Sequence, residues 1–159
     1  MKIFIVVMIL VLVAAASWLL FFRISERAVP NDRVEVKIHD QTIVAEIAET
    51  AEQKEKGLAG RTVLGANEGM LFPFSEKGSY GFWMKGMKIP IDIVWISGTT
   101  VVGFEENAPP PPDISADDSK LPIYLPPSPI DNVLELQAGS VRTLGLRKGD
   151  TVTFIEGER

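Results

Sequence analysis

Val34-Glu35-Val36-Lys37-Ile38, the polar His39-Asp40-Gln41, then Ile43, Ala45 and Ile47 set between Val44 and Glu46: this stretch decides the fold class. Apolar side chains recur at every second residue on both sides of a turn-forming tripeptide, so the segment predicts a β-hairpin with one buried face. Directly after it, Thr50 and Gln53 stand at capping-box spacing, Ala51 to Lys56 are mostly good helix formers, and Gly57 is placed to end the helix. Further strands are predicted at Gly81 to Lys85, Ile91 to Ile96, Thr100 to Glu105, Val133 to Leu136 and Thr151 to Ile155, with Ser97-Gly98-Thr99 as a second hairpin turn. Many short strands with one short helix predict a mainly β (α+β) domain over 34–156, a compact sandwich or barrel rather than alternating βαβ units.

Upstream of that domain the composition changes. Ile3 to Phe22 is twenty residues without a charge, and only Ser17 is polar. About 20 such residues span the hydrocarbon core as a helix. A cleaved signal peptide is the rival reading, with Lys2 ahead of the apolar run and Ala14-Ala15-Ala16 as its cleavage site. The run continues through Trp18-Leu19-Leu20-Phe21-Phe22, where a signal peptide would turn polar, so residues 1–23 are expected to be an uncleaved transmembrane anchor. Residues 24–33, with Pro30-Asn31-Asp32, read as a linker. Lys2 on one flank against Arg23, Arg27 and Arg33 on the other does not favour an outward domain by charge. Long domains translocate despite nearby charge, so the expectation is a single-pass protein of the cell membrane, its domain outside the cytoplasm, or a secreted one if the segment is cleaved.

Charge and chemistry narrow the function classes. Beyond Arg23, 14 basic residues face 21 acidic ones, which disfavours nonspecific binding of nucleic acid. With no cysteine there is no disulfide, no thiolate nucleophile and no thiolate-held zinc or iron–sulfur centre. His39, the sole histidine, lies in a predicted polar turn, which leaves a Ser–His–Asp triad unsupported. Asn107 to Pro129 holds eight of the eleven prolines and predicts a long loop, either a lid or binding loop or a rigid surface excursion. Asp113, Asp117 and Asp118 within it lack the ligand order and glycine turn of a calcium loop, so no metal and no cofactor is expected.

Three segments carry a resemblance: Gly57-Leu58-Ala59-Gly60-Arg61, Glu68-Gly69-Met70-Leu71-Phe72-Pro73-Phe74, and Phe82-Trp83-Met84-Lys85-Gly86-Met87-Lys88-Ile89-Pro90-Ile91-Asp92-Ile93. In order and spacing they resemble domain-of-unknown-function family 192, the Phe-Trp-Met-Lys segment being highly specific. Glu106-Asn107-Ala108-Pro109 and Val133-Leu134-Glu135-Leu136 with Ala138-Gly139 extend the likeness across the domain. The resemblance implies a small mainly β fold behind a signal or anchor in prokaryotes, and no established activity. In the loop from Asn107 to Pro129 this chain has prolines and aspartates where some members are expected to carry cysteines.

The candidate site residues are Arg61, Trp83, Lys85, Asp92 and Glu135. On a strand, Phe82 and Met84 share a core face, and Trp83 and Lys85 share the other. Indole and ammonium there form either a ligand platform or a half-buried tryptophan covered by a lysine stem. Asp92 shares a face with Val94 and Ile96 and would need a partner, for which Arg61 or Lys85 is the candidate; a structural Asp–Arg bridge competes with a binding or catalytic pair. Glu135, opposite Leu134 and Leu136, reads by periodicity as exposed, and only the resemblance retains it.

The expectation is therefore an anchored binding or accessory domain with a polar pocket for a small ligand, glycan or peptide. Two alternatives stand beside it. One is an envelope hydrolase using Asp92 and Glu135 with Arg61 or Lys85, although no recognisable catalytic constellation is present. The other is a structural module of a membrane complex. Expected partners are the membrane, through the N-terminal helix, and a small ligand or an envelope protein; oligomeric state is open.

Overall fold

The computed structural model describes residues 33–112 and 118–156. The expected anchor and nearly all of the linker lie outside them, and among the described residues no helix is long and apolar enough to cross a membrane. The elements are β1 (Arg33–Ile38), β2 (Gln41–Ile47), α1 (Ala51–Lys56), β3 (Glu68–Gly78), β4 (Phe82–Trp83), β5 (Ile91–Ser97), β6 (Thr100–Ala108), β7 (Ile123–Tyr124), β8 (Ile130–Gln137), α2 (Ser140–Leu144) and β9 (Val152–Glu156). Seven strands form one sheet in the order β6-β5-β8-β3-β2-β1-β9, and β4 pairs with β7 in a separate ribbon.

The sheet is not a sandwich. It curls until its two edges touch, with Thr100 bridging Thr151 and the amides of Val101, Gly149 and Val152 closing the seam to β6 and the turn before it. The result is a half-barrel pinned at one end. Its inside is filled by Val34, Val36, Ile38, Ile43, Ala45, Val94, Ile96, Leu134, Leu136 and Val152. That is the alternation read in the first hairpin, whose register pairs Val36 with Ile43 and Val34 with Ala45.

A second core lies on the outside of β3, β8 and β5, where Leu58, Leu64, Met70, Phe72, Met84, Met87, Ile93, Trp95 and Val133 are buried. It exists because β2 and β3 are parallel neighbours, so the chain between them must cross over the sheet, carrying α1 and Leu58 to Leu64 onto its outer face. One βαβ-like crossover is thus present in a fold expected to have none. The same burial explains why β3 is invisible to periodicity: Gly69, Met70, Leu71 and Phe72 are all buried, on both faces, so nothing alternates. Pro73 further disguises it, and the ladder to β8 breaks irregularly between Pro73 and Gly78.

Several expected elements change extent. The strand at Gly81 to Lys85 shrinks to Phe82–Trp83, while Thr100 to Glu105 extends to Ala108. A second short helix, α2, is added, entered and left through Gly139 and Gly145, both with positive φ. The described part of the proline-rich segment is not structureless: it holds a 3-10 turn at Asp118–Lys120 and β7, and Pro127 packs against Gly103. Asp113 and Asp117 lie outside the described residues.

Candidate functional site

The crossover and the β4 segment face each other across a cleft of about 360 Å³. The end of α1 supplies Lys54, Glu55, Lys56, Gly57 and Leu58; Phe74, Tyr80, Phe82, Trp83, Lys85 and Met87 form the opposite side, and Glu135 lies at the bottom. Helix α1 is fixed by the capping box read in the sequence, with the Gln53 amide donating to Thr50 Oγ1 and the Thr50 amide donating to Gln53 Oε1. Gly57 ends it at φ 47°, and a Cβ there would stand 3.4 Å from Phe72 and 3.7 Å from Glu135 Oε2. A glycine is what lets the turn close over the carboxyl.

The aromatic wall is a packed group. Phe82 meets Phe72 and Trp95 edge-on at 5.0 and 5.6 Å, and Phe74 stacks on Tyr80. Lys54 Nζ lies 4.6 Å from the Phe74 ring centre and also donates to the Pro73 carbonyl. Lys85 Nζ lies 5.4 Å from the centre of the Trp83 ring. Trp83 is 38% exposed and Met84 1%, the division of faces expected for this segment.

Glu135 is 5% exposed, and its Oε2 has no hydrogen-bond partner. The expectation of an exposed side chain fails because β8 is a central strand covered on both faces: Glu135 sits across from Met70 on β3 and Ile93 on β5, beneath the crossover. Desolvation pushes its carboxyl up to about 8, against a smaller opposing pull from Arg61. At neutral pH this group is mostly a neutral acid that can both donate and accept a hydrogen bond.

Asp92 and Arg61 are placed elsewhere. In the β5–β8 ladder Asp92 pairs with Leu136 and Ile93 with Glu135, so the two carboxyl groups are one register step apart and on opposite faces of the sheet. Asp92 is fully buried, and its oxygens accept from the amides of Asn107 at 2.8 Å, Gly139 at 3.1 Å and Val141 at 2.8 Å. The expected Asp92–Arg61 bridge is therefore replaced on both sides. Arg61 instead makes a two-pronged contact with Glu46, drawing that carboxyl below the ordinary range through its hydrogen bonds, and lines a neighbouring cleft shared with Glu46, Lys56 and Gly57. A hydrolytic pair of Asp92 and Glu135 has no geometry in which to act. Of the five candidates, Trp83, Lys85 and Glu135 come together, while Lys54, Tyr80 and Phe74 join them unforeseen.

His39 is the exposed turn residue expected, its Nδ1 3.1 Å from the Leu144 carbonyl and its Nε2 3.1 Å from Asp150. Among the described residues no three His, Asp or Glu side chains are grouped to hold a metal ion.

Compared with known proteins, residues 34–154 match the model of the family DUF192, described as Uncharacterized ACR. Two solved structures are similar, each at 31% identity. A "putative transcription regulator" from Sinorhizobium meliloti 1021 aligns over 77% of this chain and 92% of its own, with a TM-score of 0.66. A protein of unknown function from Novosphingobium aromaticivorans DSM 12444 aligns over 76% and 83%, with a TM-score of 0.64. No curated protein matches.

Proposed function

Because this chain belongs to the DUF192 family, whose name assigns no chemistry, its function has to be read from the cleft, and we propose a binding or accessory domain that takes a small polar ligand over Glu135. One observation carries the reading: a buried carboxyl with an unpartnered oxygen at the bottom of an open cleft. Leaving a buried polar group unsatisfied costs about 1–3 kcal/mol, a cost a fold can remove with one apolar substitution unless something else fills the valence. A ligand is that something, held by Glu135 below and by the ring of Trp83 and the stems of Lys54 and Lys85 at the sides. The proposal includes an address: the apolar run from Ile3 to Phe22 tethers the domain to a membrane, with the cleft outside the cytoplasm. The word regulator attached to the Sinorhizobium protein would suggest a nucleic-acid role, but 11 basic against 18 acidic residues over 34–156 give this domain no electrostatic footing for one.

Thermal unfolding of the full-length chain, scanned against sugars, peptides, nucleotides, lipid headgroups and divalent metals, tests this. A compound at about 100 times its dissociation constant adds roughly 2.7 kcal/mol and raises the midpoint visibly. The gain should vanish in Trp83→Ala and persist in Arg61→Met, which lies outside the cleft. A broad panel without response would sink the reading and direct attention to a protein partner.

A further inference from the structure

The outward face of the β4–β7 ribbon is apolar. Trp83 and Ile123 are direct partners in its register, so their side chains share a face, while the other pair, Phe82 and Tyr124, packs inward against the second core. Leu125 joins them across Gly81, where an added Cβ would stand 2.7 Å from Ile123 Cγ2 and 3.5 Å from Leu125 Cδ2. A glycine there leaves room for both side chains to lie over the ribbon. Ile123 is 62% exposed and Leu125 61%, and with Trp83 they make up three of the five large apolar side chains exposed among the described residues. Such residues scattered singly need no explanation; three side by side on a two-stranded ribbon mark a contact surface.

What that surface meets is decided by size, tether and charge. A stable protein interface takes about 20–30 residues a side, far more than this ribbon offers. A membrane needs less, because a domain already fastened to it meets the bilayer again at a high effective concentration. Resting on the membrane tether proposed above, and not on what fills the cleft, we propose that the ribbon seats the domain on the bilayer surface, with Trp83 among the headgroups and Ile123 and Leu125 at the acyl boundary. Residues 23–32, between Phe22 and Arg33, extend at most about 35 Å, roughly the width of a domain this size, so the outer layer beside Arg33 stays within reach of lipid. The ribbon belongs to that layer: Arg33 lies 3.8 Å from Glu46, Glu46 holds Arg61, and the Gly60 amide donates to the carbonyl of Gly86, three residues from Trp83. Tryptophan suits the interface, its ring apolar and its N–H able to bond to headgroups. With 11 basic against 18 acidic residues over 34–156 the domain is not drawn to anionic lipid, so the seat is apolar and fits a zwitterionic surface.

The absence of cysteine allows one reporter at a chosen position. The full-length chain in phosphatidylcholine vesicles, carrying an environment-sensitive fluorophore on Leu125→Cys, is read against spin-labelled lipids that quench at known depth. Lys148→Cys is the reference, since Lys148 stands in the turn where Asp150 meets His39, at the far end of β1 from Arg33. Quenching is expected at 125 and not at 148, and it should persist in added salt. Ile123→Asp, at an exposed site outside the cleft lining, should lower the docked-to-free ratio by about tenfold or more. Carbonate extraction of the same vesicles reads the tether separately. A chain that resists extraction but shows solvent-like emission at 125 overturns the docking alone; one that is quenched yet stripped by carbonate overturns the tether alone; one that is neither quenched nor retained overturns both. A reporter shielded from water but untouched by lipid quenchers means that protein covers the ribbon, a second copy where the mass grows with concentration, and overturns the lipid assignment. Docking that requires anionic lipid and disappears in salt overturns the apolar seat.

Discussion

Two carboxyl groups are buried on neighbouring strands, one register step apart, and the protein treats them in opposite ways. Asp92, on the inner face of β5, receives three backbone amides; Glu135, on the outer face of β8, has an oxygen with none. Asn107 and Gly139 both have positive φ, a conformation that aims their amides back at Asp92. The Val141 amide belongs to the first turn of α2, whose own N-cap is a glycine with no side-chain cap bond. Asp92 therefore caps a helix from a distant strand and fastens the end of β6 to it. The difference teaches how to tell an acid satisfied within the fold from one left with an open valence: both are buried, and only hydrogen-bond accounting separates them.

The comparison breaks first at Asp92. Asn in its place would put an amide N–H₂ among amide donors and remove charge-assisted bonds worth about 1.5–3 kcal/mol each. Asp92→Asn is expected to lose about 5 kcal/mol in urea unfolding, a large part of a domain's total, with early hydrogen exchange confined to residues 139–146 and around Asn107. Exchange unaltered there would mean that the three bonds do not hold α2.

Glu135 supplies the opposite signature. Its carboxyl is raised from an ordinary 4.5 to about 8 in the folded protein, so between those values the folded state binds more protons than the unfolded chain. Stability is then fully retained below pH 4.5 and falls as pH rises toward 8, levelling above it, by on the order of 5 kcal/mol for this group alone. Unfolding free energies measured from pH 5 to 9 should show the decline in the parent and a flat profile in Glu135→Gln. A parent profile that rises over that range would show that the carboxyl is solvated or ion-paired.

How much of this was legible in the sequence follows from the same division of faces. The inner face was readable wherever one side of a strand meets solvent, as in β1 and β2, because hydrophobic alternation records it. Capping residues at Thr50 and Gln53 fixed α1 before any tertiary contact was known. Periodicity fails for β3 and β8, which are covered on one side by the inner core and on the other by a crossover that alternation cannot reveal, and it misplaced Glu135 for that reason. Trp83 and Lys85 were found through the side-chain alternation of a short strand, but Lys54 reaches the cleft from a helix distant in the chain, which spacing cannot signal, and Tyr80 from the connection before β4, where it stacks on Phe74. Arg61 was assigned to the wrong acid because Glu46 looked like an ordinary polar member of an alternating strand.

The smallest expected effect is the one that tests whether the two clefts communicate. Arg61 and Glu46 are each about a third exposed, so breaking their bridge should cost only about 1 kcal/mol. Arg61 also opposes the rise at Glu135, since a nearby cation favours the ionised carboxylate. Arg61→Met removes both the bridge and that cation, and the pH range over which stability declines should move upward. Glu46→Gln weakens the bridge yet keeps the cation, and should leave the decline in place. If the two variants behave alike, the charge of Arg61 does not reach Glu135, and the clefts on either side of Gly57 are electrostatically separate.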